Sequence, residues 1–292
     1  MQHWPAWAGI AFGWTLAHWP WWLARRAGSI LGWLMRMTMV SRRRVARINL
    51  ALCFPGLSQP QRRELLHAHF QSLGIGAFEF LRAWWGRLAP LDTRYTLDGL
   101  AHLQNAQASG RGVILISPHF TTLEICVRLL CRHVQITGMY RPHDSAALEW
   151  AVKRGRLRYT QAMFTRDELR PAIRLLKSGG VLWFAPDQET RRGESVFVPF
   201  FGQSAWSLTS THQLARLSGA LVLPLFHERL DNGHYHLEIG APLENFPSTD
   251  ADTDTARVMA LMEALIRRVP AQYLWIHQRF KRQPEGRASP YQ

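Results

Sequence analysis

The chain has 292 residues, of which 47% are apolar, and its formal net charge is +14 at pH 7. This length and composition suit one large domain with a proper hydrophobic core and argue against a disordered chain. Its three cysteines indicate no disulfide framework, and their spacing is not typical of a zinc cluster.

The basic excess is concentrated near the N-terminus. No Asp or Glu precedes Glu64, whereas nine arginines do, and seven of the 13 tryptophans lie in residues 4–33. A basic stretch attracts nucleic acid, anionic lipid or an acidic protein. Tryptophan favours the membrane–water interface, because its ring is apolar while its N–H stays hydrated. The combination indicates a membrane surface. A nucleic-acid-binding protein is disfavoured, because it would carry its arginines on a folded face with base-stacking aromatics.

Residues 1–24 contain no charged side chain, and two arginines follow directly. As one helix, residues 4–24 would be about 31 Å long, near the ~30 Å thickness of the hydrocarbon layer. We therefore predict a membrane anchor at residues 1–26 and a larger domain over 27–292, which the flanking arginines place in the cytoplasm. Pro5, His18 and Pro20 interrupt the stretch. A helix lying in the interface, or a buried helix of the larger domain, is therefore the alternative.

Helical periodicity continues over residues 27–50 and 60–85, with a loop at 53–58 between them. After about residue 90, short apolar runs alternate with amphipathic ones. The predicted strands are 112–117, 134–140, 181–185, 221–226 and 235–239, and the predicted helices are 121–132, 145–158, 168–178, 207–218 and 255–268. This alternation predicts an α/β fold whose sheet is covered by helices on both faces.

The sharpest local feature is the run SPHFTTLE at residues 117–124, between a predicted strand and a predicted helix. Proteins of the α/β class place reactive groups at the carboxyl ends of strands. On one continuous helix, His119 and Glu124 would be about 140° apart, so they meet only if His119 lies in the loop. The imidazole could then take a proton from a substrate hydroxyl while the carboxylate fixes its tautomer. The alternatives are a structural histidine and a capping box formed by Thr121 and Glu124.

Other chemistries find less support in the sequence. No G-x-S-x-G motif occurs, and no Ser or Cys has an obvious neighbouring base, so a hydrolase is disfavoured. No H-E-x-x-H motif occurs, and His234 with His236 cannot fill a coordination shell alone, so we predict no metal site.

Together with further motifs, the string His119-x4-Glu124 resembles one known family. The string matches the H-x4-D/E motif of the glycerolipid acyltransferases, and much more of the chain resembles the lipid A secondary (lauroyl/myristoyl) acyltransferases. The matching stretches are NLALCFP at 49–55, YRPH at 140–143, RGR at 154–156, WFAPDQ at 183–188, FVPFF at 197–201, LSGA at 217–220 and QYLWIH at 272–277.

The resemblance implies a glycerolipid-acyltransferase-like domain, with a mixed central sheet flanked by helices and an N-terminal membrane-anchoring helix. It implies an enzyme on the cytoplasmic face of a bacterial inner membrane. Such enzymes transfer a fatty acyl chain from acyl carrier protein to a hydroxyl on an acyl chain of a lipid A precursor of the Kdo-lipid IVA type. His119 would be the general base and Glu124 its orienting group, with acyl-ACP as co-substrate and no cofactor. The alternative acceptor is a glycerolipid, an ornithine lipid or another glycolipid.

The resemblance also implies functional roles for Arg156 and Asp187. Asp187 follows a predicted strand, so we expect it near the sheet edge of His119, where it binds sugar hydroxyls or pairs with Arg156. A turn residue after Pro186 is the alternative. Arg156 would lie near a developing oxyanion, the donor's phosphopantetheine or a lipid phosphate, the alternative being a solvated helix face. Arg141 is a further candidate of the same kind.

Overall fold

The computed structural model describes residues 4–165, 167–189 and 193–292. The helices are α1 (Trp4–Leu16), α2 (Trp21–Thr38), α3 (Val40–Cys53), α4 (Gln59–Trp85), α5 (Leu100–Ala108), α6 (Leu123–Leu130), α7 (Ala146–Arg156), α8 (Leu169–Lys177), α9 (Ser210–Ser218) and α10 (Ala251–Arg268), with short 3₁₀ helices at Ala89–Leu91 and Pro270–Gln272. The strands are β1 (Tyr95–Asp98), β2 (Val113–Ile116), β3 (Ile136–Tyr140), β4 (Ala162–Thr165), β5 (Val181–Phe184), β6 (Ser195–Phe200), β7 (Gln203–Leu208), β8 (Leu221–Arg229) and β9 (Tyr235–Ile239).

A seven-stranded mixed sheet forms the centre of the molecule, in the order β1-β9-β8-β2-β5-β3-β4. The β8–β9 pair is antiparallel, and the other neighbouring strands of this sheet run parallel. Strands β6 and β7 form a separate antiparallel hairpin. The prediction of an α/β fold with a mixed central sheet flanked by helices is confirmed.

The central strand β2 shows why the sheet is covered on both faces. All four of its side chains are fully buried. Val113 and Leu115 pack into a core with α2, α4 and α6, whereas Ile114 and Ile116 pack into a second core with α3, α8, α9 and α10. Successive side chains of a strand point to opposite faces, so an uninterrupted apolar run requires two apolar layers.

The apolar N-terminal stretch forms two helices where the sequence predicts one. α1 ends at Leu16 and α2 begins at Trp21, directly after Pro20. A proline cannot donate the backbone hydrogen bond that a continuous helix requires, so the helix breaks there. The expectation of a single helix over residues 4–24 is therefore wrong. Among the described residues, each helix is too short or too polar to cross a bilayer.

The predicted boundary between residues 26 and 27 falls inside α2, and the division into an anchor and a larger domain stays a prediction. Residues 1–3 of the predicted anchor lie outside the described residues. The buried side of α2 includes Trp21 and Ala24, which belong to one of the two cores.

Helices α2 and α4 pack at very short distance. A Cβ atom added to Gly74 of α4 would lie 2.2 Å from the carbonyl oxygen of Gly28 and 2.3 Å from the amide nitrogen of Gly32, both on α2. These are backbone atoms, which cannot move aside as the end of a flexible side chain can. Three glycines therefore let the two helix backbones touch.

The periodicity of apolar residues in the sequence predicted most of the central strands and several helices at the right positions. Predicted strands 134–140 and 235–239 correspond to β3 and β9, and predicted helix 60–85 corresponds to α4. The predicted helical stretch 27–50 is helical except at Met39, where α2 ends and α3 begins. The sequence patterns missed β1, α5, β4 and the β6–β7 hairpin, each of whose elements has at most nine residues.

We expect Gly74→Ala to lower the free energy of unfolding by roughly 1–3 kcal/mol, because the added methyl group must push two helix backbones apart. Gly9→Ala on α1 is the matched control, since a Cβ there meets nothing within 4 Å. The control should be neutral or slightly stabilising, because alanine is the better helix former. Thermal unfolding in detergent measures both, and equal melting temperatures for Gly74→Ala and the wild type would refute the close packing.

Candidate active site

The loop between β2 and α6 carries His119 and is tied to the C-terminal segment by backbone hydrogen bonds. The Thr121 amide donates to the carbonyl of Gln272 at 2.8 Å, and the Leu274 amide donates to the carbonyl of His119 at 3.0 Å. His119 therefore lies in the loop, as predicted, and its backbone is fixed by residues about 150 positions later in the chain.

Side chains from three other elements hold the same loop. The hydroxyl of Thr121 lies 2.7 Å from that of Ser72 on α4. The hydroxyl of Thr122 lies 2.9 Å from Nδ1 of His227 on β8, both groups being buried. The indole N–H of Trp183 on β5 donates to Ser117 at 3.0 Å. A loop held this firmly can present one side chain in a fixed orientation.

Asp187 is the carboxylate partner of His119. Its Oδ1 lies 2.6 Å from Nδ1 of the imidazole, and its Oδ2 accepts the backbone N–H of His119 at 3.1 Å. The carboxylate is fully buried, whereas 29% of the His119 side chain is exposed. Strands β2 and β5 are parallel neighbours, so the residues that follow them emerge at one edge of the sheet. The expected placement of Asp187 near His119 is confirmed.

The electrostatics of Asp187 favour its charged form. Burial alone would raise the pKa of this carboxyl, but the charge and the hydrogen bonds of His119 lower its pKa below the usual range. The hydroxyl of Tyr273 adds to this lowering. An ionised Asp187 accepts the Nδ1–H, which leaves Nε2 of a neutral imidazole with its lone pair free.

The expected contact between His119 and Glu124 is wrong. Glu124 lies at the start of α6 and is turned away, so that its Oε1 accepts from Nε of Arg156 at 2.9 Å. Its Oε2 accepts from Tyr159 at 2.7 Å and from the indole of Trp84 at 3.0 Å. In the described part of the chain both oxygens are thus engaged, and none of their partners is the imidazole.

The capping box considered for Glu124 is also not formed, since α6 has Thr122 as its N-cap residue and no side-chain cap. Burial would raise the pKa of Glu124, but the charge of Arg156 and three hydrogen-bonding side chains hold this pKa below its usual range. Glu124 is therefore a buried, ionised partner of a guanidinium. Whether it takes part in catalysis stays a prediction.

The two predicted arginines lie in different environments. Arg156 ends α7 and is largely buried against Glu124, with which it forms an ion pair. Of the two alternatives for Asp187, the pairing with Arg156 is therefore wrong. Arg141 follows β3 and is exposed, 3.9 Å from the carboxylate of Asp144. The structure thus forms two separate acid–base pairs, His119 with Asp187 and Arg156 with Glu124, and places Arg141 in neither.

A small, mostly apolar cavity of about 30 Å³ lies beside the Arg156–Glu124 pair. Trp183 is part of its wall and lies edge-on to the imidazole, with ring centroids 6.4 Å apart. Glu124 and Arg156 form a polar part of the same wall, and the apolar lining comes from Leu123, Val127, Ile136, Gly138 and Met163. At this volume the cavity has room for about one water molecule and not for an acyl chain.

Sequence reasoning missed four side chains that shape the site. Tyr273 contacts Asp187, Trp183 lies beside the imidazole, and Tyr159 and Trp84 hold Glu124. Tyr273 and Trp183 belong to the QYLWIH and WFAPDQ stretches, so the family resemblance marked their neighbourhoods without giving them roles.

Comparison with known proteins identifies the family. A family model described as bacterial lipid A biosynthesis acyltransferase matches residues 1–282. The lipid A biosynthesis lauroyltransferase of Escherichia coli K12 is 36% identical over 292 residues, covering 99% of this chain and 95% of the relative. The palmitoleoyltransferase of the same strain is 36% identical over 294 residues, with the same coverage. A 1-acyl-sn-glycerophosphate acyltransferase from Thermotoga maritima matches in structure with a TM-score of 0.41 and 14% identity, over 87% of this chain and 99% of that chain.

The family model spans nearly the whole chain, and the two relatives from Escherichia coli match it from end to end. The resemblance that the sequence motifs indicated is therefore confirmed. This protein is an acyltransferase, and it belongs to the bacterial lipid A biosynthesis acyltransferase family.

Proposed function

We propose that this enzyme transfers a fatty acyl chain from the thioester of acyl carrier protein to a hydroxyl on an acyl chain of a lipid A precursor. Family membership supports the reaction class, and the names of the relatives support a lipid A acceptor. The observation that carries the mechanism is the buried Asp187 carboxylate on Nδ1 of a partly exposed His119.

In the proposed mechanism, His119 acts as general base with Asp187 as its orienting group. Asp187 holds the Nδ1–H tautomer, so Nε2 takes the proton from the acceptor hydroxyl while that oxygen attacks the thioester carbonyl. The tetrahedral intermediate collapses with cleavage of the C–S bond, and the imidazolium returns its proton to the leaving thiolate. The buried carboxylate stabilises the imidazolium in between. Glu124 instead fixes Arg156 and Tyr159 in the wall of the apolar cavity.

We further infer that α1 and α2 lie in a membrane interface. Phe12 and Trp14 on α1 are 64% and 53% exposed, and Trp33 on α2 is 50% exposed. Arginines follow closely in the sequence, and the mixture of exposed Trp with Arg is what an interfacial helix presents to anionic lipid. A catalytic domain held at the inner membrane, on its cytoplasmic face, would meet both a lipid acceptor and a soluble carrier protein.

We expect His119→Ala and Asp187→Asn each to lower kcat by about 10²–10⁴-fold, the first by removing the base and the second by favouring the wrong tautomer. Transfer from acyl-ACP is followed by mass spectrometry of the lipid product, which gives acceptor and chain together. His133→Ala is the control, because it removes another exposed histidine that hydrogen-bonds Tyr95. Near-normal turnover of a folded His119→Ala enzyme would show that His119 is not the base. A product built on another lipid class would show that the acceptor is not a lipid A precursor.

We expect Glu124→Gln to lower the free energy of unfolding at pH 7 by ~3–5 kcal/mol, because the buried Arg156 loses its counter-charge. The folded-state pKa of Glu124 lies below the ordinary 4.5, so the ion pair contributes fully above that pH. Its contribution is lost as the pH falls through the lowered pKa, and the gap between the two proteins should narrow in that range.

Chemical denaturation at pH 7 and in acid measures that difference. The double variant Glu124→Leu/Arg156→Met should recover much of the stability, since it leaves no buried charge unpaired. Equal stability of Glu124→Gln and the wild type at pH 7 would show that the ion pair is not a buried one.

We expect the triple variant Phe12→Ser/Trp14→Ser/Trp33→Ser to partition at least about tenfold less into anionic liposomes, because three apolar side chains no longer enter the interface. Leu217→Ser on α9 is the control, since Leu217 is 56% exposed and lies outside α1 and α2. Co-sedimentation with the vesicles measures the partition. Unchanged binding of the triple variant would place the membrane contact elsewhere.

A further inference from the structure

A second cavity, of about 530 Å³, lies between α2, α4 and the end of β8. Its lining mixes apolar side chains with polar and basic ones. It includes three arginines together with hydroxyl and amide side chains, namely Arg25, Arg26, Arg229, Ser29, Gln71 and Ser72.

Two of these arginines, Arg25 and Arg26, form no ion pair among the described residues. Arg229 is buried and fixed, with Glu79 2.7 Å away as its ion partner and Ser72 accepting its Nη2–H at 2.8 Å. Arg25 donates only to the main-chain oxygen of Asp231, at 3.0 Å, and Arg26 lies over the ring of Trp22. Within the described ranges neither guanidinium forms an ion pair with a carboxylate. Glu79 neutralises the charge of Arg229. The two positive charges of Arg25 and Arg26 then face the single negative charge of Asp231, so the cavity is positive.

The back wall of this cavity is joined to the loop that carries His119. Ser72 contacts both Arg229 and Thr121, and Gln272 accepts the backbone N–H of Thr121. The basic cavity and the catalytic loop thus share hydrogen-bonded residues. A ligand seated against Ser72 would lie near the loop, whereas the small cavity beside Trp183 is mostly apolar and would disfavour a charged head group.

We propose that this basic cavity binds a phosphate-bearing sugar of the glycolipid acceptor, an inference that rests on the proposed function. The unpaired guanidinium groups suit a phosphate, for which arginine offers two parallel N–H donors. Ser29 and Gln71 can bond sugar hydroxyls, and the volume exceeds the needs of a lone phosphate ion. The cavity opens beside Trp22, whose exposed ring lies on α2, where a lipid acceptor would approach from the membrane.

The test measures transfer kinetics of Arg26→Gln and of Arg25→Gln/Arg26→Gln with acyl-ACP and two acceptors, Kdo-lipid IVA and its phosphatase-treated form. We expect Arg26→Gln to raise the KM for the phosphorylated acceptor about tenfold and the double variant to raise it about a hundredfold, since each charge-assisted contact to a phosphate contributes roughly tenfold in affinity. The value of kcat and the KM for acyl-ACP should stay within about twofold. On the dephosphorylated acceptor, wild type and variant should behave alike.

The control is Arg47→Gln, an exposed arginine on α3 away from the cavity, which changes the net charge equally. An unchanged acceptor KM in the double variant overturns the inference. A rise in the KM for acyl-ACP, without a rise in the acceptor KM, also overturns it, because the arginines would then bind the donor's phosphodiester. An equal rise in the acceptor KM in Arg47→Gln, or in the double variant on the dephosphorylated acceptor, would also overturn it. The effect would then be a general attraction to anionic lipid. Arg26→Gln keeps the test valid if the double variant unfolds, because Arg26 is exposed. Absence of transfer by the wild type would instead refute the proposed function.

Discussion

The site depends on the hydrogen bond between Asp187 and His119. Asp187 accepts both the ring Nδ1–H and the backbone N–H of the same residue, so one buried carboxylate fixes the position and the tautomer of the imidazole. The loop around His119 has little regular structure of its own, and it is held by contacts from α4, β5, β8 and the segment after α10. Four distant parts of the chain must be in place before one side chain points correctly.

Two buried carboxylates lie near the loop that carries His119, Glu124 in sequence and Asp187 in space, and their surroundings give them different partners. Asp187 meets an imidazole, whereas Glu124 meets a guanidinium, a phenol and an indole. Both have pKa values below their usual range, because the partners outweigh the penalty of burial. A carboxylate that accepts from a neutral imidazole can stabilise a transient imidazolium, whereas one that neutralises a permanent cation has no such change to respond to. This difference supports the proposed orienting role of Asp187.

The N-terminal helices belong to the packed body of the enzyme as well as to its apolar surface. Gly28 and Gly32 bring α2 into backbone contact with α4, and Trp21 packs in the same core as β9. The other side of α2 exposes Trp33 and contributes Arg25 and Arg26 to the basic cavity. One helix therefore connects an exposed apolar surface, the core and the wall of a cavity that reaches the loop of His119.

The sequence by itself determined the fold class, the central strands, the family and the position of His119 in a loop after a strand, because periodicity and local motifs are short-range properties of the chain. It also predicted correctly that Asp187 lies at the same edge of the sheet as His119, since the ends of parallel strands meet there. Only the tertiary structure decided which acid meets which base. Glu124 is five residues from His119 and does not touch it, whereas Asp187 is 68 residues away and does. The direction of a side chain depends on where its helix packs, and the packing of α6 against α4 is set by residues distant in sequence.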